Sequence, residues 1–283
     1  VFEAEDAPGG LMIHGIPRYR LPREIVSAEI DYALSPGVNL RTGVSVGKDI
    51  SFDEIKRNSD AVFIGIGLGY RSQLDIPGHD LPGVLQAGEF LRMAALGDTP
   101  KLSGTVAVIG GGNVAMDAAC SAVRAGASEV VVLYRRREEE MPAWKREREF
   151  AQKEGVKFRY LTAPRKFIGQ DGRVAAIECV STRLGEPDSS GRPRPEVIPG
   201  SEHIIDVSQV ILATGQAPWP EVSQVFGDIE LSSSGTVKVA PETLATSVDG
   251  VFAGGDAVNR GRTVVQAVAD GKSAAKSISD FLS

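Results

Sequence analysis

A short apolar run, Thr105 to Ile109, leads directly into Gly110-Gly111-Gly112, and a small-residue helical stretch opens at Asn113. No other segment restricts the fold as tightly. The spacing is G-x-G-x-x-A. Gly110 permits the tight strand-to-helix turn, Gly112 lets the backbone approach a pyrophosphate, and Ala115 keeps the helix close to the sheet. The helix N-terminus adds N–H groups and the positive end of its dipole for phosphates. A second β-branched run, Glu129 to Tyr134, follows at the spacing of a βαβ unit, so strand, turn, helix and strand agree on a dinucleotide-binding domain.

The end of that second strand should lie beside an adenosine ribose, where NAD enzymes place an acidic residue. Here Arg135, Arg136 and Arg137 stand instead. An arginine fork matches a 2'-phosphate, which favours NADP over NAD. The other reading is a solvated basic run balanced by Glu138, Glu139 and Glu140.

Similar alternation runs through the chain. Strands are expected at Val1–Glu3, Val38–Thr42, Asp60–Ile66, Thr105–Ile109, Glu129–Tyr134, Val156–Leu161, Gln209–Ala213 and Gly250–Ala253. Helices are expected at Pro22–Ser35, Ala87–Ala95, Asn113–Ala125, Ala143–Lys153 and Thr263–Phe281. Between Lys166 and Asp206 the pattern becomes an antiparallel meander, with a turn at Gln170-Asp171-Gly172 and a polar loop from Glu186 to Pro195. The class is α/β, and 283 residues provide for about two domains.

Composition excludes several functions. Lys and Arg total 31 against 37 Asp and Glu, a net charge of −6, so no global basic field exists to hold nucleic acid. Apolar runs such as Ala61–Tyr70 fall well short of the roughly 18 residues a membrane span needs. Cys120 and Cys179 stand far apart in apolar contexts, which rules out a redox dithiol or an iron-sulfur cluster held by this chain alone. They read as buried small hydrophobes in a reducing cytoplasm.

Both ends carry signs of a second nucleotide. A strand delivers Gly254, Gly255 and Asp256 to a polar loop ahead of a helix from Thr263, where an aspartate can accept from a polyol hydroxyl. A glycine turn capped by Asp256 accounts for the same residues. Val1-Phe2-Glu3 reads as the end of a second Rossmann strand, with Glu3 in the ribose place, followed by Gly9-Gly10. The matching first strand and glycine turn belong about 20 to 25 residues upstream. The chain starting at Val1 thus reads as a piece of a longer protein.

These segments together resemble a known family. Gly9–Pro22 (GGLMIHGIPRYRLP), VAVIGGGNVAMDAA, YRRREEEMPA, GEPDSSGR, GSEH, VILATGQAP and VFAGGDAV are similar to the small subunit of glutamate synthase. The flavin halves of dihydropyrimidine dehydrogenase and of NAD(P)H-ferredoxin oxidoreductases share the module. The resemblance implies two Rossmann-like, doubly wound domains of the glutathione-reductase type. Residues 1–98 and 216–283 would form a discontinuous FAD domain, and residues 99–215 an inserted NADP domain. It assigns Glu3, Gly10, Leu11, Arg20, Val46, Gly255, Asp256, Thr263 and Val264 to FAD. Gly110, Gly112, Asn113, Val114, Ala115, Arg135 and Arg136 would hold NADP, with Ala213, Thr214 and Gly215 returning near both. The family's cysteine-rich iron-sulfur domain is absent from the chain, and Ile64–Tyr70 stands where the family often has an Ala-Thr-Gly turn.

The implied activity is hydride transfer between NADPH and FAD, with electrons passed singly to an iron-sulfur domain or subunit such as the glutamate synthase large subunit. The cofactors carry such chemistry. No Ser/His/Asp or HExxH arrangement occurs, and His14, His79 and His203 read as structural. A regulatory or scaffold subunit that binds NADP(H) without turnover is the reading from another class. A dithiol reductase of the thioredoxin reductase type lacks the CxxC it would need.

Overall fold

The computed structural model describes residues 1–69, 74–188, 191–259, 261 and 263–283. The tip of the polar loop at 189–190, the end of the Ile64–Tyr70 stretch and part of the loop ahead of Thr263 lie outside the described residues. In chain order the elements are α1 (Leu11–His14), α2 (Arg23–Leu34), α3 (Phe52–Arg57), β1 (Val62–Ile64), β2 (Val84–Gln86), α4 (Ala87–Leu96), β3 (Thr105–Ile109), α5 (Asn113–Arg124) and β4 (Glu129–Leu133). There follow α6 (Lys145–Lys153), β5 (Lys157–Arg159), β6 (Thr162–Gln170), β7 (Arg173–Pro187), β8 (Pro193–Val197), β9 (His203–Asp206), β10 (Gln209–Leu212), α7 (Val222–Phe226), β11 (Val251–Ala253), α8 (Asp256–Asn259) and α9 (Val264–Phe281).

The chain divides into two compact units. One comprises Val1–Ile13, Leu21–Gly69 and Gln216–Ser283, and the other His14–Arg20 and Tyr70–Gly215. The sequence sets a boundary near residue 99, but β2 pairs in parallel with β10, which ties the segment before α4 to the second unit.

The second unit has three layers. Its parallel sheet runs β2-β10-β3-β4-β5. Because strand side chains alternate between faces, Val106, Val108, Val130, Val132 and Ile211 pack under helices, beside Phe90, Met116 and Ala151. Ala107, Ile109, Val131, Leu133, Val210 and Leu212 instead meet Phe167, Ile177, Cys179 and Ile205 of the antiparallel layer. Apolar residues therefore occupy consecutive positions in β3 and β4, as a sheet covered on both faces requires. The antiparallel layer is the expected meander, begun earlier at Thr162, with Asp171 and Gly172 at φ +52° and +78° in the first hairpin turn.

In the first unit β1 and β11 pair in parallel over a core of Phe52, Ile64, Val222, Phe226, Val251 and Ala253. The strands expected at Val1–Glu3 and Val38–Thr42 reduce to a parallel bridge, Phe2 to Arg41, flanked by Glu3 N–H to Arg41 O at 3.0 Å. Helix α9 rests lightly on this unit, since Ala274 is its one buried residue while Val265 and Val268 are exposed.

Candidate functional site

The sheet order of the second unit brings three strand ends together. β3 is central, with β10 on one side and β4 on the other, in register at Ile109–Leu212 and Ile109–Leu133. Their carboxyl ends carry the predicted NADP residues: Gly110–Ala115 after β3, Arg135 and Arg136 after β4, and Ala213–Gly215 after β10. Ligands of open α/β sheets bind at such carboxyl ends.

The glycine turn is shaped by its neighbours. Gly110 has φ +144°, and a Cβ there would lie 2.2 Å from the Ala213 carbonyl oxygen, so no side chain fits. Gly112 is different. It caps α5 from extended backbone, and a Cβ on it would meet nothing within 4 Å. No side chain caps the helix and no acid stands in its first turn, so the first-turn N–H groups present their field to open space. Ala115 is fully buried, while Val114 is 38% exposed. The segment after the arginines closes over the turn: Ala143 N–H donates to Gly111 O at 2.9 Å and Trp144 N–H to Asn113 Oδ1 at 3.1 Å. Gly111 leaves room for Tyr134, whose ring would stand 2.5 Å from an added Cβ. Sequence reasoning passed over both Gly111 and Tyr134.

The expected arginine fork is corrected by the structure. Arg136 is 4% exposed; its Nε donates to Pro193 O at 2.7 Å and its Nη2 to Asp188 Oδ2 at 3.0 Å. Arg192 joins the same anchorage, donating to Tyr134 Oη at 2.9 Å and Glu140 O at 2.7 Å. Arg136 thus pins the β7–β8 hairpin, and Arg135 and Arg137 are the exposed members of the run. The bend that follows β4, held by Leu161 N–H donating to Arg136 O at 3.0 Å, turns the middle arginine inward. Nothing local in the sequence marks Asp188 as its partner.

The predicted flavin residues fall into two groups in the first unit. Glu3 O accepts from Val44 N–H at 2.9 Å, while its Oε1 accepts from Glu5 N–H at 2.9 Å, and Val46 packs against the core nearby. Gly10 has φ +51° and open space where a Cβ would stand, with Leu11 opening α1 beside it. Gly254 N–H donates to Ile64 O at 3.2 Å, which fixes the Gly255–Asp256 turn to β1. Thr263 caps α9, its hydroxyl accepting from Gln266 N–H at 3.2 Å, and Val264 is 40% exposed. A glycine with open Cβ space, two carboxylates and a helix N-terminus suit the polyol and phosphates of FAD, as the α5 turn suits NADP.

Arg20 stands apart from that set. Its Nη1 donates to both Asp117 carboxylate oxygens at 2.7 Å and its Nη2 to Glu147 Oε1 at 3.0 Å, all within the second unit. Beside it Tyr19 stacks on Phe150, with Arg124 3.8 Å over the Tyr19 ring. Burial pushes the Asp117 carboxyl up to about 6, although Arg20 opposes the shift. Burial likewise raises the thiols of Cys120 and Cys179, to about 11 and 12. Among the described residues no cluster could hold a metal ion, and no helix is long and apolar enough to cross a membrane. His79 Nδ1 and His203 Nδ1 each lie beside a local carbonyl, and His14 is buried.

A parallel sheet whose central strand ends in an uncapped glycine turn, inserted in sequence between the segments of the first unit, defines a dinucleotide-binding α/β architecture. The chain belongs to the pyridine nucleotide-disulphide oxidoreductase family, which matches residues 13–271. It is 46% identical over 289 residues to the NADP(+)-dependent formate dehydrogenase subunit beta of Moorella thermoacetica, covering 100% of this chain and 40% of that one. It is 38% identical over 293 residues to a putative glutamate synthase [NADPH] small chain of Cereibacter sphaeroides, covering 100% of this chain and 70% of that one. The chain therefore spans only part of each relative, and both are named as one chain of a larger enzyme. The fold matches that of Mycobacterium tuberculosis FprA in complex with NADPH at a TM-score of 0.82 and 21% identity, over 99% of this chain and 77% of FprA.

Proposed function

We propose that the chain is the FAD- and NADPH-binding module of a larger oxidoreductase, similar in role to the glutamate synthase small subunit, and that it exchanges electrons with an iron-sulfur domain or subunit. The supporting observation is the convergence of β10, β3 and β4 on the uncapped first turn of α5, with open space over Gly112 and exposed Arg135 at the neighbouring strand end.

When bound, the two cofactors supply hydride transfer between a nicotinamide and a flavin, followed by single-electron release. The protein's share is binding and orientation. Gly112, Asn113 and Val114 offer backbone N–H groups to the pyrophosphate, and Arg135 faces the 2'-phosphate. Glu3 accepts from ribose hydroxyls and Asp256 from the flavin's polyol, while Gly10, Leu11, Val46, Gly255, Thr263 and Val264 line the remainder. Ala213–Gly215 follow β10 beside the glycine turn.

The test is anaerobic mixing of the FAD-supplemented protein with NADPH, followed at the flavin absorbance. Bleaching supports the oxidoreductase; saturable NADPH binding with no bleaching supports a subunit that only senses the nucleotide.

A further inference from the structure

We infer that Asp270, on α9, is a positioning residue for the flavin site, a role that rests on the reading that Asp256 holds FAD. Helix α8 has four residues, too few to be stable by itself. Its placement, and with it that of Asp256, depends on bonds from outside.

Asp270 supplies them at both ends of the helix. Its Oδ2 accepts from Gly255 N–H at 2.9 Å, immediately before Asp256, and from Asn259 Nδ2 at 3.1 Å, at the last residue of α8. Its Oδ1 accepts from Gln266 Nε2 at 2.7 Å, one turn earlier on α9, so both oxygens are occupied and the carboxylate is held in one orientation. The contact is close: a Cβ on Gly254 would lie 3.0 Å from Asp270 Cβ and 3.2 Å from the Phe63 ring. Glycine at 254 thus lets α9 bring this carboxylate against the turn. A further bond, Val237 N–H to Ala257 O at 2.9 Å, holds the middle of α8 from the other side.

Hydrogen-bond geometry, not charge, is what the site uses. An asparagine at 270 can reproduce it, its oxygen accepting from Gly255 and Asn259 while its amide donates to a flipped Gln266. Alanine cannot. In FAD titrations followed by flavin fluorescence, Asp270→Ala is expected to weaken binding by about tenfold or more, and Asp270→Asn to remain within about threefold of the parent. Amide exchange across Gly255–Asn259, measured without flavin, should accelerate in Asp270→Ala and not in Asp270→Asn, while NADP affinity stays constant in both. Should the alanine variant not fold, Asp270→Ser, too short to reach Gly255, takes its place. Parent-like FAD binding and exchange in the truncated variant, or equal loss in Asn and Ala, overturns the positioning role. Asp256→Ala, which removes the acceptor itself, separates the two ideas: if it leaves FAD binding unchanged, the flavin reading itself fails.

Discussion

Arg136 and Asp188, 52 residues apart, are joined by a 3.0 Å bond that takes the middle arginine of a three-arginine run out of solvent. The run therefore divides its work between an inward pin and outward cations. Arg135→Ala should weaken NADPH about tenfold or more while leaving NADH unchanged, because a charge-assisted bond to the 2'-phosphate is lost. Arg136→Ala should instead lower stability by about 3 kcal/mol, since it removes a buried cation together with its bonds to Pro193 O and Asp188 Oδ2. Parallel nucleotide titrations and denaturant unfolding separate the two. Equal NADPH and NADH affinities in the parent would remove the 2'-phosphate assignment.

Two glycines of one turn should respond in opposite ways. Gly110→Ala places a methyl group against the Ala213 carbonyl and forces a side chain into positive φ, which costs on the order of 2 to 4 kcal/mol. Gly112→Ala has room and ordinary backbone, so the protein should remain folded with its melting temperature nearly unchanged. Its added methyl group would occupy the pyrophosphate's place, and NADP binding should fall at least tenfold. A Gly112→Ala protein that binds NADP normally would move the nucleotide away from this turn.

The βαβ unit was legible because three signals coincide there: continuous apolar strands, glycines at fixed spacing and a small-residue helix. β3 spans the expected Thr105–Ile109, and α5 begins at the expected Asn113. Strand β2 was missed because Val84–Gln86 is three residues long and owes its state to pairing with β10, more than a hundred residues later. Arg20, Asp117 and Glu147 were not legible as a cluster, for each looks like a solvated charge until the chain folds. The same holds for Asp188 and Asp270, whose partners are set by tertiary approach and not by spacing.

The family's name includes disulphide chemistry, yet both thiols here are buried, on α5 and β7, with pKa values raised to about 11 and 12. Thiolate is the reactive form, so at pH 8 neither should react in the folded protein. A thiol reagent should titrate close to zero groups natively and two after denaturation. Rapid native labelling at either cysteine would reveal an accessibility that the packing forbids.

The last prediction concerns the pH dependence of the Arg20–Asp117 contact. Burial raises the Asp117 carboxyl to about 6, against 3.8 for the unperturbed group. Between these values the folded state holds a proton that the unfolded chain has released. The folded state binding more protons makes stability fall as pH rises through this window. Asp117→Asn cannot titrate, so subtracting its unfolding free energies isolates the effect. The parent should lose on the order of 1 to 3 kcal/mol relative to the variant between about pH 4 and 6, with little further change above 7. Arg20→Gln removes the cation that opposes the shift and should move the midpoint above 6. A difference curve that is flat with pH, or that rises across the window, would show that Arg20 outweighs burial and that the pair is ionised throughout.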